Sequence, residues 1–382
     1  MRTRSHERQR SSFRDRFSRA VEDRTIGCPD RRTCRDKQVN ASPGRCDDID
    51  GPARRTYIYS DKSMSRVSAI VPATNQPPTL DRCLAGIRCA SQPPEEVIVV
   101  DEPENAGPAL ARNLGARRAG GEILVFVDAD VEVHPDVFSR IRGRFDGDGE
   151  LAAVFGSYDD SPAAPDVVSA FRNLLHYWVH QTNPGGATTF WAGLGAVRRD
   201  RFLSIAGFDH RRFPRPSIED IELGVRLATA GERIELDPSI QGKHLKRWTL
   251  VEMIRTDILR RGAPWIALLL ATRLHSTALN LGWRHRLSAL SCVAAAGLFG
   301  ARQSRAALTV MALFVALNLP LYRLLLRRGG VKLAAAGVPL HALHHLAGAA
   351  AVPVGILAFL RPQHETPRGT LLELESPARK SD

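Results

Sequence analysis

Apolar and polar positions along this chain fall into two regimes. Up to about residue 260, short apolar runs alternate with helical stretches. Val67–Val71, Glu96–Val100 and Ile123–Val127 are short runs rich in β-branched side chains, the pattern of strands buried on both faces of a parallel sheet. Helices are predicted between them over Leu80–Ala90 and Ala109–Arg118, with Pro93-Pro94 and Gly120-Gly121 marking breaks. Strand, helix, strand, helix, strand is one half of a doubly wound α/β sheet. Ala152–Gly156 reads as another strand, Val167–His180 as a helix and Ile234–Leu236 as strand-like. Beyond residue 260 the apolar segments lengthen. Ala263–Ala271 is too short to span a bilayer and reads as interfacial, and Leu287–Gly300 is also short. Ala306–Leu326 and Leu333–Leu360 are long enough, which predicts two or three membrane spans. The basic connector Arg327–Lys332 places its side of the membrane in the cytoplasm.

These patterns divide the chain into an extension over 1–65, an α/β unit over 66–260, interfacial and transmembrane helices over 261–360 and a tail over 361–382. The extension is rich in Arg, Asp and Ser with no apolar period, so it and the tail are predicted to be disordered. Met64-Ser65-Arg66 leads straight into the first strand, so a true start at Met64 is the alternative to a translated extension.

Charge and cysteine content narrow the function classes. The chain of 382 residues carries a formal net charge of +12, six of it from an excess of Arg and Lys in the first 65 residues. No zinc-finger, helix-turn-helix or RNA-recognition signature accompanies it, so an anionic membrane surface is the expected partner and nucleic acid is not. The six cysteines show neither metal-ligand pairs nor a secreted disulfide framework, which fits a reducing compartment. No Gly-x-Gly-x-x-Gly and no Walker loop follows the first strand, against a nicotinamide dehydrogenase or a P-loop NTPase.

Candidate chemistry sits at the strand ends, where open α/β sheets bind ligands. Thr74 and Asn75 follow the first strand, Asp101 the second, and Asp128-Ala129-Asp130 the third. If the third strand continued, Asp128 and Asp130 would point the same way. Two carboxylates that close favour a Mg²⁺ or Mn²⁺ ion bridging to phosphate oxygens; an acidic surface turn is the alternative. Further on, His176 and His180 share a helix face, with packing or acceptor contact expected. Gly193 and Gly195 beside Trp191 either admit a flat ligand or form a tight turn. Ser217 is predicted to N-cap a helix with Glu219 and Asp220 in its first turn, where the helix dipole favours acids. Arg247 and Trp248 suit a diphosphate clamp and a sugar-stacking ring, or an anchor beside a membrane.

Taken in order, Val67–Asn75, Val99-Val100-Asp101, Ala111-Arg112-Asn113 and Gly121–Asp130 resemble the family 2 glycosyltransferases, over roughly residues 66 to 260. The resemblance implies a GT-A fold, Rossmann-like with a mostly parallel sheet, and a nucleotide-diphosphate-sugar donor. It implies that Pro72, Thr74 and Asp101 hold the base and ribose, with Arg112 as a further donor contact or a surface helix charge. By the same resemblance Asp130 binds the metal and Asp128 the nucleotide or metal. The loop containing Gly193 lies near the donor sugar and acceptor. Asp220 becomes the base and Glu219 its partner, and His244 a third metal ligand. Two departures stand out. The usual strand-2 ending Asp-Asp-Gly-Ser is Asp101-Glu102-Pro103-Glu104 here, and His244 replaces the Gln of the processive Gln-x-x-Arg-Trp pattern. The expected function is inverting, metal-dependent sugar transfer to a lipid or glycan acceptor, by a multi-pass inner-membrane protein with a cytoplasmic catalytic domain. The alternatives are a polyprenyl-phosphate glycosyltransferase and a non-catalytic membrane scaffold.

Overall fold

The computed structural model describes residues 64–272 and 282–361; the 1–63 extension and the tail after 361 lie outside them. Alternation along the strands builds the molecule. In β1 (Val67–Pro72), Val67, Ala69 and Val71 enter one core and Ile70 the other. In β3 (Ile123–Val127), Ile123, Val125 and Val127 face the first core while Leu124 and Phe126 face the second. α1 (Leu80–Arg88) and α3 (Val137–Gly147) cover the first face. α2 (Pro108–Arg118), α5 (Arg199–Ser204) and α6 (Glu219–Thr229) cover the second. Phe126 packs against Phe202 and Phe208 at ring separations of 5.5 and 5.3 Å. Truncating such a ring costs roughly 3–5 kcal/mol.

The βαβαβ half is present, with β2 (Glu96–Val100) and β3 both parallel to β1. The rest of the sheet is mixed rather than mostly parallel. Its order is β2-β1-β3-β7-β5-β8-β4, with β6 (Gly185–Ala187) paired to β8. β7 (Leu194–Arg198), expected as a loop, runs antiparallel between β3 and β5 (Leu151–Tyr158). β8 (Arg233–His244) is far longer than the three strand-like residues at its start, because its second half pairs with β4 (Val131–Val133).

The C-terminal region departs most from expectation. α4 (Val167–Gln181) leads out of the sheet. Later come α7 (Leu250–Arg255), a π-helical turn (Thr256–Gly262), α8 (Ala263–Thr272), α9 (Trp283–Gly300), α10 (Ser304–Leu317) and α11 (Leu319–Leu360). The span expected over Ala306–Leu326 is cut at Asn318, whose side chain turns back to the Phe314 carbonyl and Ser288. Among the described residues, one helix, α11, has the length and hydropathy to cross a membrane, in place of two or three. Its helical backbone breaks at Gly330, at φ 68°.

Candidate active site

Asp128 and Asp130 converge for a different reason from the one expected. β3 stops at Val127, and the Val131 N–H donates to the Asp128 carbonyl at 2.9 Å, closing a tight turn. The turn, not strand alternation, presents the carboxylates. Two neighbours fix it. The Asp128 N–H donates to the Gly193 carbonyl at 3.0 Å, and the Leu245 N–H donates to the Asp130 carbonyl at 2.8 Å. The β4–β8 register sets Val131 opposite His244. The His244 Nε2 therefore lies 3.8 Å from Asp130 Oδ2, with its ring stacked on Tyr158 at 4.0 Å. Burial works against charge on Asp130, but His244 and Lys246 outweigh it and hold the carboxyl below its ordinary value.

Arg112 organises the acids. It is buried, not a surface charge, and donates to Asp128 Oδ1 at 2.6 Å and to Glu219 Oε1 at 3.0 Å. Glu219 also accepts from the Ser217 N–H at 2.9 Å. Ser217 does not cap α6, which has Ile218 at that position. Its hydroxyl instead donates to the Arg260 carbonyl at 2.8 Å, because the chain before α6 passes against the π-turn. Asp220 is left facing the cleft. Its carboxylate accepts from the Ala192 N–H at 3.1 Å and the Ile221 N–H at 2.8 Å. Burial and then the Glu219 charge push its pKa up from near 3.8 to about 6.

These residues line one cleft of about 380 Å³ with Pro72, Thr74, Arg112, Asp128, Asp130, His244 and Trp248. Gly107 lets the loop before α2 approach: a Cβ there would stand 2.4 Å from the Pro214 carbonyl oxygen. Gly193 does the same for Trp191, whose ring a Cβ would meet at 2.4 Å. Gly193 is thus a support for a cleft-lining ring, outside the lining itself. Asp101 is exposed and outside the cleft wall. Arg247 is also outside it, with an 80 % exposed side chain and its Nε 3.3 Å from Asp166. His176 and His180 pack on each other at 4.0 Å beneath Trp191, as ordinary core rings. Lys246, Arg215, Arg260 and Arg261 line the cleft too, and sequence pattern did not single them out. Only the adjacent basic pair at 260–261 was a visible signal.

Among the described residues, no three His, Cys, Asp or Glu side chains form a ready-made metal cage. Asp130 and His244 supply an oxygen and a nitrogen, and Asp128 keeps one oxygen clear of Arg112. That donor set fits Mg²⁺ or Mn²⁺ in a site completed by substrate phosphate oxygens, a usual arrangement for Mg²⁺.

The profile described as Glycosyl transferase family 2 matches residues 97–200, which hold Asp128, Asp130 and the Trp191–Gly193 loop. Over those residues the chain carries the signature of a family 2 glycosyltransferase domain. Its mixed sheet, with Asp-x-Asp at the end of β3, agrees with the expected GT-A architecture. An N-acetylglucosaminyltransferase of Rhizobium meliloti (strain 1021) is 26 % identical over 229 residues, covering 50 % of this chain and 53 % of the relative. The chain thus spans about half the length of that curated relative. Among solved structures, a mannosyltransferase from Pyrobaculum calidifontis in complex with GDP-Man and Mn²⁺ aligns at 19 % identity and TM-score 0.47, over 78 % of this chain and 88 % of that one. GalNAc-T7 with UDP, GalNAc and Mn²⁺ aligns at 14 % and 0.39, over 56 % and 52 %.

Proposed function

We propose that this family 2 glycosyltransferase domain moves a sugar from a nucleotide-diphosphate donor to an acceptor hydroxyl in a single inverting displacement. The observation that carries the reading is Asp220: a half-buried carboxylate facing the cleft, with its pKa raised to about 6, lining the same wall as Asp128, Asp130 and His244. A general base works best with a pKa near the working pH. The acceptor hydroxyl hydrogen-bonds to Asp220 and gives it the proton as its oxygen attacks the anomeric carbon. The bond from that carbon to the donor phosphate breaks, and the nucleoside diphosphate leaves with the electron pair. Arg112 holds Glu219 in place beside Asp220 through its bond to Oε1, so the base stays oriented. Mg²⁺ or Mn²⁺ held by Asp130, His244 and Asp128 would neutralise charge on the leaving diphosphate. Thr74, just past β1, borders the space for the nucleotide, and Trp191 offers a ring to sugar or acceptor. Trp248, expected to stack on a sugar, is instead buried with Lys246 and Arg172 over its ring.

Lys246, Arg260 and Arg261 line the cleft with no ion pair among the described residues. This favours a phosphate-bearing lipid acceptor as a second reading, in which a phosphate oxygen takes the place of the hydroxyl. Both are tested by incubating the full chain with UDP-, GDP- and dTDP-sugars and Mn²⁺, with and without a polyprenyl phosphate. Nucleoside diphosphate release that is abolished by EDTA and by Asp220→Asn is the expected result. Stimulation by the polyprenyl phosphate, but not by the matching alcohol, selects the second reading. No release with any donor would leave the non-catalytic scaffold.

A further inference from the structure

The C-terminal helices carry an interaction surface of a definite kind. From Ile258 to His364 the chain contains no Asp or Glu, while described residues 282–361 contain nine Arg or Lys. Large apolar side chains stand exposed on the same helices: Trp283 at 73 %, Leu290 at 64 %, Leu308 at 61 % and Leu360 at 67 %. Arg328 pairs with Asp160 of the sheet unit, but the segment as a whole keeps a net positive charge. Exposed apolar area mixed with net positive charge complements an anionic lipid leaflet.

The packing sets how deeply such helices can enter. α11 is held against the catalytic unit through its middle. His344 Nδ1 lies 2.7 Å from Asp257 Oδ2, and Arg172, on α4, donates to Asp257 Oδ1 at 2.6 Å. These three groups join α11 to the π-turn and α4, so the His344 level belongs to the polar side. Past His344, Leu346 to Leu360 runs about 22 Å at 1.5 Å per residue, and it stays packed on the π-turn and α8, with Ala351 against Gly262 and Gly355 against Ala263 and Ile266. In the α9–α10 hairpin the apolar pieces are Leu287–Gly300 and Ala306–Leu317, each about 20 Å long. Each falls short of the roughly 30 Å hydrocarbon core, which takes about 20 residues. The hairpin is basic at both ends, with Arg284 and Arg286 before α9 becomes apolar and Arg302 and Arg305 at the turn. A perpendicular hairpin of this length would drive the turn arginines into hydrocarbon. One lying along the surface keeps all four at headgroup level.

We propose that the C-terminal bundle docks monotopically on an anionic phospholipid leaflet, without crossing it, so that the hairpin turn and the end of α11 stay on the catalytic side. The proposal rests on the membrane setting of the transfer reading but not on turnover, and its test needs none. A reporter active only after export and one active only in the cytoplasm are each inserted after Gln303 or fused after Arg361. The expected result is cytoplasmic signal at both positions; export at either overturns the proposal. Independently, the purified full chain is floated with phosphatidylcholine vesicles, with or without 30 % phosphatidylglycerol. Binding is expected only with the anionic lipid, to fall with added salt, and to weaken about fivefold for each charge removed in Arg302→Asn and Arg305→Gln. Equal, salt-insensitive binding to both vesicles would also overturn it. Vesicle binding without sugar transfer defeats the enzymatic reading alone; transfer by a protein whose hairpin turn is exported defeats this one alone.

Discussion

The sheet unit and the C-terminal helices handle charge in opposite ways. In the sheet unit, acids and bases are counted against each other, and buried Arg112 is shared between Asp128 and Glu219. The described helices after the π-turn carry no acid of their own, so a cation there pairs only across to the sheet unit, as Arg328 does with Asp160, and apolar side chains face outward. A buried charge needs a partner because desolvation is costly, whereas an exposed cation beside apolar surface needs a counter-surface. The first arrangement suits the proposed action on a charged small molecule. The second suits the proposed docking on something large, flat and negative.

The contrast can be broken most sharply at Asp220. Asp220→Asn is expected to lower kcat by roughly 10²–10⁴-fold, the usual contribution of a positioned base. It should also raise folding stability at pH 8. The folded pKa of about 6 lies above the ordinary 3.8, so ionised Asp220 destabilises the fold fully above pH 6 and not at all below 3.8. Removing the charge returns on the order of 1–3 kcal/mol, seen as a higher Tm. Lost activity with lost stability would show a structural acid, not a base.

Asp257→Ala tests the join between the two regions. It leaves Arg172 buried and unpaired, at an expected cost of about 3–5 kcal/mol in urea unfolding. The double change Arg172→Met with Asp257→Leu should recover most of that loss. Next in size, Gly224→Ala puts a Cβ 2.2 Å from the Phe190 backbone nitrogen. Overpacking of that kind costs roughly 1–3 kcal/mol in the sheet unit, and it should leave vesicle binding unchanged. The smallest effect is in pH. With Asp220 as base, kcat/KM should fall about tenfold per pH unit below about 6, and the fall should vanish in Asp220→Asn. A profile flat to pH 5 would remove Asp220 from that role.

How much of this could be read from the chain alone follows from the range of the contacts. β1, β2 and β3 and the two helices between them are local and strongly patterned, and they stand where expected. The Asp128-Ala129-Asp130 turn was visible because its acids end an apolar run. The partners that make it a site arrive from far along the chain. His244 reaches Asp130 only through the register of β4 on β8, and Arg112 meets Glu219 across 107 positions. Nothing local foretells such pairings. Asp101 went the other way: its position after β2 matched the pattern, yet its side chain is exposed away from the cleft. The apolar helices were legible as apolar, but their reach depended on where Asp257 pins His344, a contact between residues 87 positions apart.

The hydrogen bond from Ser217 to the Arg260 carbonyl has a consequence of its own. On one side lies the segment leading to Glu219 and Asp220; on the other, the π-turn whose Asp257 is bound to His344 on α11. The surface proposed to rest on lipid and the carboxylate proposed as base therefore share a short mechanical chain. Whatever free energy passes along it must be reciprocal: if docking tightens the cleft on its donor by some factor, donor must tighten docking by the same factor. The enzyme would then be most firmly adsorbed when it is loaded, and quickest to leave the surface when it is empty.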